Sequence, residues 1–421
     1  MIPLSEVMRI FYLCVFAAGV ALGQQGRPDP AFEKIPFEEW RKGSGEARIR
    51  WSMRILPIRL TVYQRLSTIV EVAVDGEEFV KRNRPGQVVA FLEIRDQDNR
   101  TYRNHRALIL PDVKDVASVN YEQYTFMTPG NYEVTAAVYD AGSKEHSLKR
   151  MKLRVPELPR DPLPGAWLDL PGAEFSGTPE PPDLWYLPEI TSRLHLPVKT
   201  ERPVRVEVVV NESASELVNG RVSRRNMGNL IPALKAISQM EIENGSIHVS
   251  MLDLERHRVR FTQEEVGTLD WARLRGALVE TNPDQIDVHA LENHEQNAQF
   301  FVSEVRKRVE KAQVVIVLSA PMAFPKGQDL RPIEAEAGGR VFYIRYQSPR
   351  PGFPIGAAPD GFGRRGRVPA PVPEGGGEAL PILDSLAGTL KPLAPRIFDV
   401  TTPIEFRGAL AAIMREISHL K

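Results

Sequence analysis

Residues 203–216 read Pro-Val-Arg-Val-Glu-Val-Val-Val-Asn-Glu-Ser-Ala-Ser-Glu. Val204–Val210 ends in three consecutive valines. A β-branched run of this kind fits a strand buried on both faces, as in the interior of a parallel sheet. Outward from it toward the C-terminus, apolar spacing alternates between helix and strand periods. Asn226 can cap a helix through Gln239, with Leu230, Leu234 and Ile237 on one side and Pro232 inside it. Ile247–Leu254 and Val259–Phe261 predict two strands around a tight turn at Glu255–Arg258. Asp270 begins a short helix with Leu274 and Leu278, and 293–311 forms the longest helix, with Phe301, Val305 and Val309 as its buried stripe. Gln313–Leu318 and Arg340–Tyr346 are further strands; then come a helix at 382–390, a strand at Arg396–Val400 and a helix from Pro403. This order predicts a doubly wound α/β sheet with one antiparallel edge strand over 203–421.

Toward the N-terminus the grammar is all-β. Strands are expected at 55–63, 68–74, 87–94, 107–110, 132–139 and 149–155, separated by clusters such as Asp75-Gly76, Asp96-Gln97-Asp98-Asn99 and Pro129-Gly130-Asn131. Tyr132, Val134, Ala136 and Val138 share one face of their strand. Short strands at this spacing predict a sandwich over 48–156. Between Pro156 and Pro203 stand eleven prolines in 48 residues, so 157–202 reads as an extended connector, whose Trp167, Phe175, Trp185 and Tyr186 predict packing on a domain surface. Eight prolines and eight glycines between Pro349 and Pro381 predict an exposed, mobile loop over 347–381.

The first residues carry a different signal. Arg9 precedes an apolar stretch over 10–22 that ends in Ala21-Leu22-Gly23, the pattern of a cleavable secretion signal over 1–23. Its core is shorter than the ~20 apolar residues that span a bilayer. Cys14 is the single cysteine of the chain and lies inside that segment, so the mature protein is expected to lack disulfide and thiol chemistry. A cysteine-free exported chain fits a periplasm or cell surface. Lys and Arg number 54 and Asp and Glu 54, which gives no global pull toward nucleic acid or anionic lipid. No membrane span is expected after signal cleavage.

Three local features carry a family likeness. Val206–Ser215 is similar to the strand leading into an Asp-x-Ser-x-Ser motif; Val314–Ser319 is similar to a central strand that ends at a second acidic site; Phe398-Asp399-Val400 with Ile404–Ile417 is similar to a closing strand and helix. Together they resemble the von Willebrand factor A-type domain over roughly 203–421. The strand from Tyr132 resembles the penultimate strand of immunoglobulin-like domains, with Tyr132 as its corner tyrosine. The whole chain resembles exported bacterial proteins, of the kind found in Acidobacteria, that join such a sandwich to such a domain.

The A-type resemblance implies a partner-binding site at the strand ends, built around a divalent cation. Carried onto this chain, that site comprises Asn211, Ser213, Ser215, Thr281 and Ser319, with Arg224 and Arg225 beside it. Asn211 stands where the family has its first aspartate, and Leu318-Ser319-Ala320-Pro321 lacks the second. Neutral ligands leave a dication poorly held, so no cofactor is expected. With Glu212 or Glu216 as replacement carboxylate, magnesium or manganese would instead support a metal-dependent adhesion module. His289, Glu292, His294 and Glu295 form the densest histidine cluster, but a separation of five is not a one-face metal pair. Neither a Gly-x-Ser-x-Gly elbow nor a phosphate loop is present. The expectation is a non-catalytic module that binds a protein partner in the cell envelope and no nucleic acid; a hydrolase with a site assembled across the fold is the further alternative.

Overall fold

The computed structural model describes residues 29–43, 49–81, 88–108, 118–177, 190–213, 217–218, 221–222, 226–279, 294–322, 339–347 and 384–420. The expected signal segment and all but the first residue of the expected mobile loop lie outside them. The chain is multidomain and β-rich, with helices concentrated in its C-terminal half.

Helices α1 (Pro30–Glu33) and α2 (Phe37–Arg41) open the described chain, α1 capped by the Asp29 carboxylate on the Ala31 amide. Strands β1 (Trp51–Ile55), β2 (Arg59–Leu60) and β3 (Leu66–Asp75) follow, then helix α3 (Gly76–Lys81) and strands β4 (Val88–Asp96), β5 (Thr101–Leu108), β6 (Ser118–Met127), β7 (Gly130–Asp140) and β8 (His146–Val155). Two antiparallel sheets result. One runs β1-β3-β6 with β2 beside β3, and the other runs β5-β4-β7-β8. They face each other over one core. Val70, Val72, Val74 and Tyr121 come from the first sheet, and Ala90, Leu92, Val134, Ala136 and Val138 from the second. The outer face of the second sheet is covered too: Phe32, Phe37 and Trp40 of the two opening helices pack on Phe91 and Ala137. This cover lies outside the expected 48–156 boundary.

β6 is a strand the apolar pattern does not predict. Its inward residues include Tyr121, Gln123 and Thr125, all buried, and Gln123 accepts from the Tyr121 hydroxyl at 2.9 Å and from Asn104 Nδ2 at 2.7 Å. Satisfied polar groups take the place of aliphatic ones.

The connector is ordered where it is described. After a 3-10 turn (Pro164–Trp167), β9 (Ala173–Phe175) pairs with β6 and widens the first sheet, so the sandwich draws on residues beyond 156. β10 (Leu196–Val198) pairs in parallel with β14 of the next domain (Met240–Ile242).

That domain starts with β11 (Val204–Asn211). A two-residue pair follows, β12 (Leu217–Val218) with β13 (Arg221–Val222), and then α4 (Met227–Ile237), β14, β15 (Gly245–Asp253) and β16 (Arg258–Gln263). α5 (Trp271–Val279), α6 (His294–Val309), β17 (Val314–Ser319), β18 (Arg340–Tyr346), α7 (Ser385–Leu390), β19 (Arg396–Val400) and α8 (Pro403–Ser418) complete it. The sheet order is β16-β15-β11-β17-β18-β19, with β16 antiparallel to β15 and the other neighbours parallel. Period-2 alternation splits the buried strands between two layers. Val206, Val208, Val210, Ile316 and Leu318 pack on α4 and α8; Val209, Val315, Val317 and Val341 pack on α6 and α7. Gly245 allows the closest approach within the sheet, since a Cβ there would lie 2.2 Å from the Val204 carbonyl oxygen.

The domains meet at a buried junction. Arg407 of α8, fully buried, donates Nε and Nη2 to the two Asp161 carboxylate oxygens at 2.5 and 2.8 Å, and Nη2 also reaches the Leu163 carbonyl at 2.7 Å. Its guanidinium lies 4.6 Å from the Trp167 ring centroid. Trp167 donates Nε1 to the Gln64 carbonyl of the sandwich at 2.7 Å, and Gln64 donates Nε2 to the Pro403 carbonyl at 3.1 Å.

Candidate functional site

In an open doubly wound sheet the crevice for ligands lies at the carboxyl ends of the strands, where the strand order reverses. Here that point falls between β11 and β17. The sequence-predicted residues Asn211 and Ser319 stand at these two strand ends, and the structure brings them together: Asn211 Nδ2 donates to Ser319 Oγ at 3.0 Å. The same amide donates to Met322 Sδ at 3.0 Å, and Asn211 Oδ1 accepts the Ser213 backbone N–H at 3.1 Å. Ser213 Oγ accepts the Leu254 N–H at 2.7 Å, and Ser319 Oγ donates to the Ala320 carbonyl at 2.6 Å. Asn211, Ser213 and Ser319 are all buried. Ser215, Arg224, Arg225 and Thr281 lie outside the described residues.

An aspartate at 211 could accept but not donate. The amide does both, so it ties the β11 end to the β17 end across the crevice and leaves its own polar atoms satisfied. Ser213 and Ser319 make no hydrogen bond to a histidine among the described residues. No group of three or more His, Cys, Asp or Glu that could hold a metal ion is found among them either. Glu212 forms a buried ion pair with Arg260 of β16 at 2.7 Å.

A second polar layer sits one strand farther along. Asp384, with its carboxylate almost fully buried, accepts the Met322 N–H at 3.3 Å, caps α7 through the Leu386 N–H at 3.2 Å, and pairs with Arg345 at 3.3 Å. Arg345 bridges on to Asp399 at 2.6 Å. The buried Tyr343 hydroxyl faces Asp384 without hydrogen-bond geometry among the described residues; burial first, and then the carboxylate, hold it well above the usual phenol range. Met322, Asp384 and Arg345 are absent from the sequence-level reading. Asp384 ahead of Ser385-Leu386 carries a legible cap signal, but its reach to Arg345 is a tertiary fact.

Another polar cluster is buried at the domain junction. Arg65 pairs with Glu174 at 3.0 Å, and Lys235 of α4 donates Nζ to the Ile190 carbonyl at 2.5 Å and lies 5.2 Å from the Trp271 ring centroid. Burial pushes the Lys235 ammonium down to about 8, Glu174 resisting and Arg65 adding to the fall. The half-buried Tyr63 beside it has its hydroxyl held well above the usual phenol range by desolvation, with Tyr124 contributing.

No protein-family model matches the chain, and no curated protein matches it. Among solved structures, it is similar to the chicken interferon gamma receptor alpha chain at 13% identity and a TM-score of 0.17, over 25% of this chain and 50% of that one. It is also similar to a structural-genomics target, SoR45, at 19% identity and a TM-score of 0.18, over 27% of this chain and 92% of that one. The chain thus spans half the length of the receptor chain it matches. Overlaps this weak carry no argument about fold or function. Among the described residues no helix is long and apolar enough to cross a membrane.

Proposed function

We propose that the chain is an exported, non-catalytic protein-interaction or assembly module of the periplasm or cell surface. In this reading an immunoglobulin-like sandwich is joined by a proline-rich connector to a von Willebrand factor A-like domain with a degenerate metal site. The sheet order β16-β15-β11-β17-β18-β19 with its antiparallel edge agrees with the A-type likeness. The Tyr132 hydroxyl donating to the Thr128 carbonyl at 2.9 Å agrees with a tyrosine corner. The observation that carries the functional reading is the Asn211–Ser319 bridge. It spends, on internal bonds, the polar atoms that would otherwise meet a cation at the strand ends.

Partner capture is then assigned to Arg224 and Arg225, which follow the degenerate motif in sequence and can meet an anionic partner group directly. The test has two arms. Calorimetric titration of the mature chain with magnesium and with manganese should give no saturable heat. Capture of its partner from the native envelope should weaken when Arg224 and Arg225 are both replaced by alanine. Saturable metal binding, or capture indifferent to the two arginines, would overturn the proposal.

A further inference from the structure

The sandwich carries an edge whose chemistry the domain junction and the strand-end site leave unused. Among the described strands β8 pairs only with β7, so one side of its backbone has no strand partner. Its sequence, His-Ser-Leu-Lys-Arg-Met-Lys-Leu-Arg-Val, holds four Lys and Arg and no acid. Alternation along a strand puts Arg150, Lys152 and Arg154 on the outer face and Lys149, Met151 and Leu153 on the inner. Residues on one face recur every ~7 Å, so the three outer cations form an evenly spaced row. Arg150, Lys152 and Arg154 are exposed, and neither Lys152 nor Arg154 has an ion-pair partner among the described residues. Arg150 donates to the Arg41 carbonyl of α2.

The inner row differs in kind. Lys149 lies on this row and, though exposed, donates to the Trp51 carbonyl with its ammonium 4.8 Å from the Trp51 ring centroid. Met151 stands opposite Val134 in register yet is 40% exposed, one of four large apolar side chains so open among the described residues. Leu153 beside it is half-buried.

Charged residues guard sheet edges against wrong pairing, and a row of cations repels a second copy of the same edge. A row of cations interleaved with an open apolar row also specifies a complement. We propose that the β8 edge accepts an extended partner segment with Asp or Glu at alternate positions and apolar residues between. Its acids meet Arg150, Lys152 and Arg154, its apolar side chains lie over Met151 and Leu153, and its backbone adds a strand to the β5-β4-β7-β8 sheet. This rests on the partner-binding reading but names a different surface. The two fail separately: Lys152 and Arg154 govern this docking, and Arg224 and Arg225 govern capture at the strand ends.

The test uses the full mature chain and a fluorescein-labelled peptide, Glu-Val-Glu-Val-Glu-Val-Glu, followed by anisotropy at physiological salt. A second peptide replaces each Val with Pro, keeping the charge and removing strand formation. Saturable binding of the first peptide is expected, with alternate β8 amides gaining protection from hydrogen exchange. Lys152→Glu with Arg154→Glu should weaken it about tenfold or more, by setting like charges opposite each other. The Lys152→Ala with Arg154→Ala pair should weaken it less. Absent saturation, equal binding of the proline peptide, or indifference to the charge reversal would each overturn the proposal. Both positions are exposed, so neither variant disturbs the core.

Discussion

Removing Asp161 should cost far more than its position in a proline-rich connector suggests. Its carboxylate is the sole charged partner, among the described residues, of an arginine whose side chain is wholly buried. Asp161→Ala leaves the Arg407 guanidinium with the Leu163 carbonyl and the Trp167 ring as its remaining contacts. Breaking a buried pair by deleting one partner costs about 3–5 kcal/mol, and those surviving contacts place this case near the lower end. Arg407→Leu takes the buried charge away and keeps apolar volume against Trp167. What it strands is a carboxylate at the rim that still accepts the Leu163 N–H at 2.9 Å, a loss of about 1–2 kcal/mol. The double variant should cost no more than Arg407→Leu alone, which amounts to a coupling of about 3 kcal/mol, the whole cost of Asp161→Ala. Urea unfolding of the four proteins, followed by Trp fluorescence and by far-UV circular dichroism, measures the cycle. The acid limb adds a check on sign. Burial pushes the Asp161 carboxyl up, but the Arg407 hydrogen bonds and the Leu163 amide outweigh it and hold the group below its ordinary value. Its contribution is therefore present above the unfolded carboxyl value of about 3.9 and lost as pH falls below it. Costs that add to within about 0.5 kcal/mol would refute the lock.

Lys235→Met should be stabilising, and the gain should shrink with rising pH. The folded ammonium titrates near 8, below its unfolded value, so the wild type carries the burial penalty in full below 8 and sheds it as pH rises toward about 10.4. The difference between wild type and Lys235→Met, read from urea midpoints between pH 7 and 9.5 to stay below tyrosine titration, should narrow; a constant difference would sink the reasoning. Asn211→Asp should destabilise by about 2–4 kcal/mol, because it buries a carboxylate and removes both donors that hold Ser319 and Met322. The same variant should show no calorimetric magnesium binding, since Glu212 stays paired to Arg260. Thermal unfolding and titration check the two halves.

How much of this was legible depended on whether burial followed an aliphatic pattern. Val204–Val210, Gln313–Leu318 and Arg340–Tyr346 announce interior strands, and the helix stripe Phe301, Val305, Val309 is buried as its spacing predicts. β6 escapes because three of its inward positions are Tyr121, Gln123 and Thr125, whose burial depends on partners in other strands. The opening helices escape for another reason. They are four and five residues long, too short for a periodic signal, and Phe32, Phe37 and Trp40 hold them to Phe91. The connector is legible as proline-rich and, from its aromatics, as packed on a domain surface, but not as the joint that pairs with α8. Nothing in a single sequence pairs Asp161 with Arg407, 246 positions away. Of the candidate site, Asn211, Ser213 and Ser319 were found by likeness to a metal-binding pattern, and the geometry gives them a different task.

That task follows from one atom. An aspartate at the end of β11 would face Ser319 and Met322 with oxygen acceptors alone, and its buried charge would call for a cation or an arginine. The amide nitrogen of Asn211 supplies two donors to those same groups and carries no charge to neutralise. Asn211 therefore acts as a fastening between the two strands that flank the crevice. Binding energy spent on that fastening is unavailable to a ligand at the strand ends. On the proposed partner-binding reading, specificity comes from side chains above the sheet or from another surface, and the cationic edge of β8 is the surface proposed here.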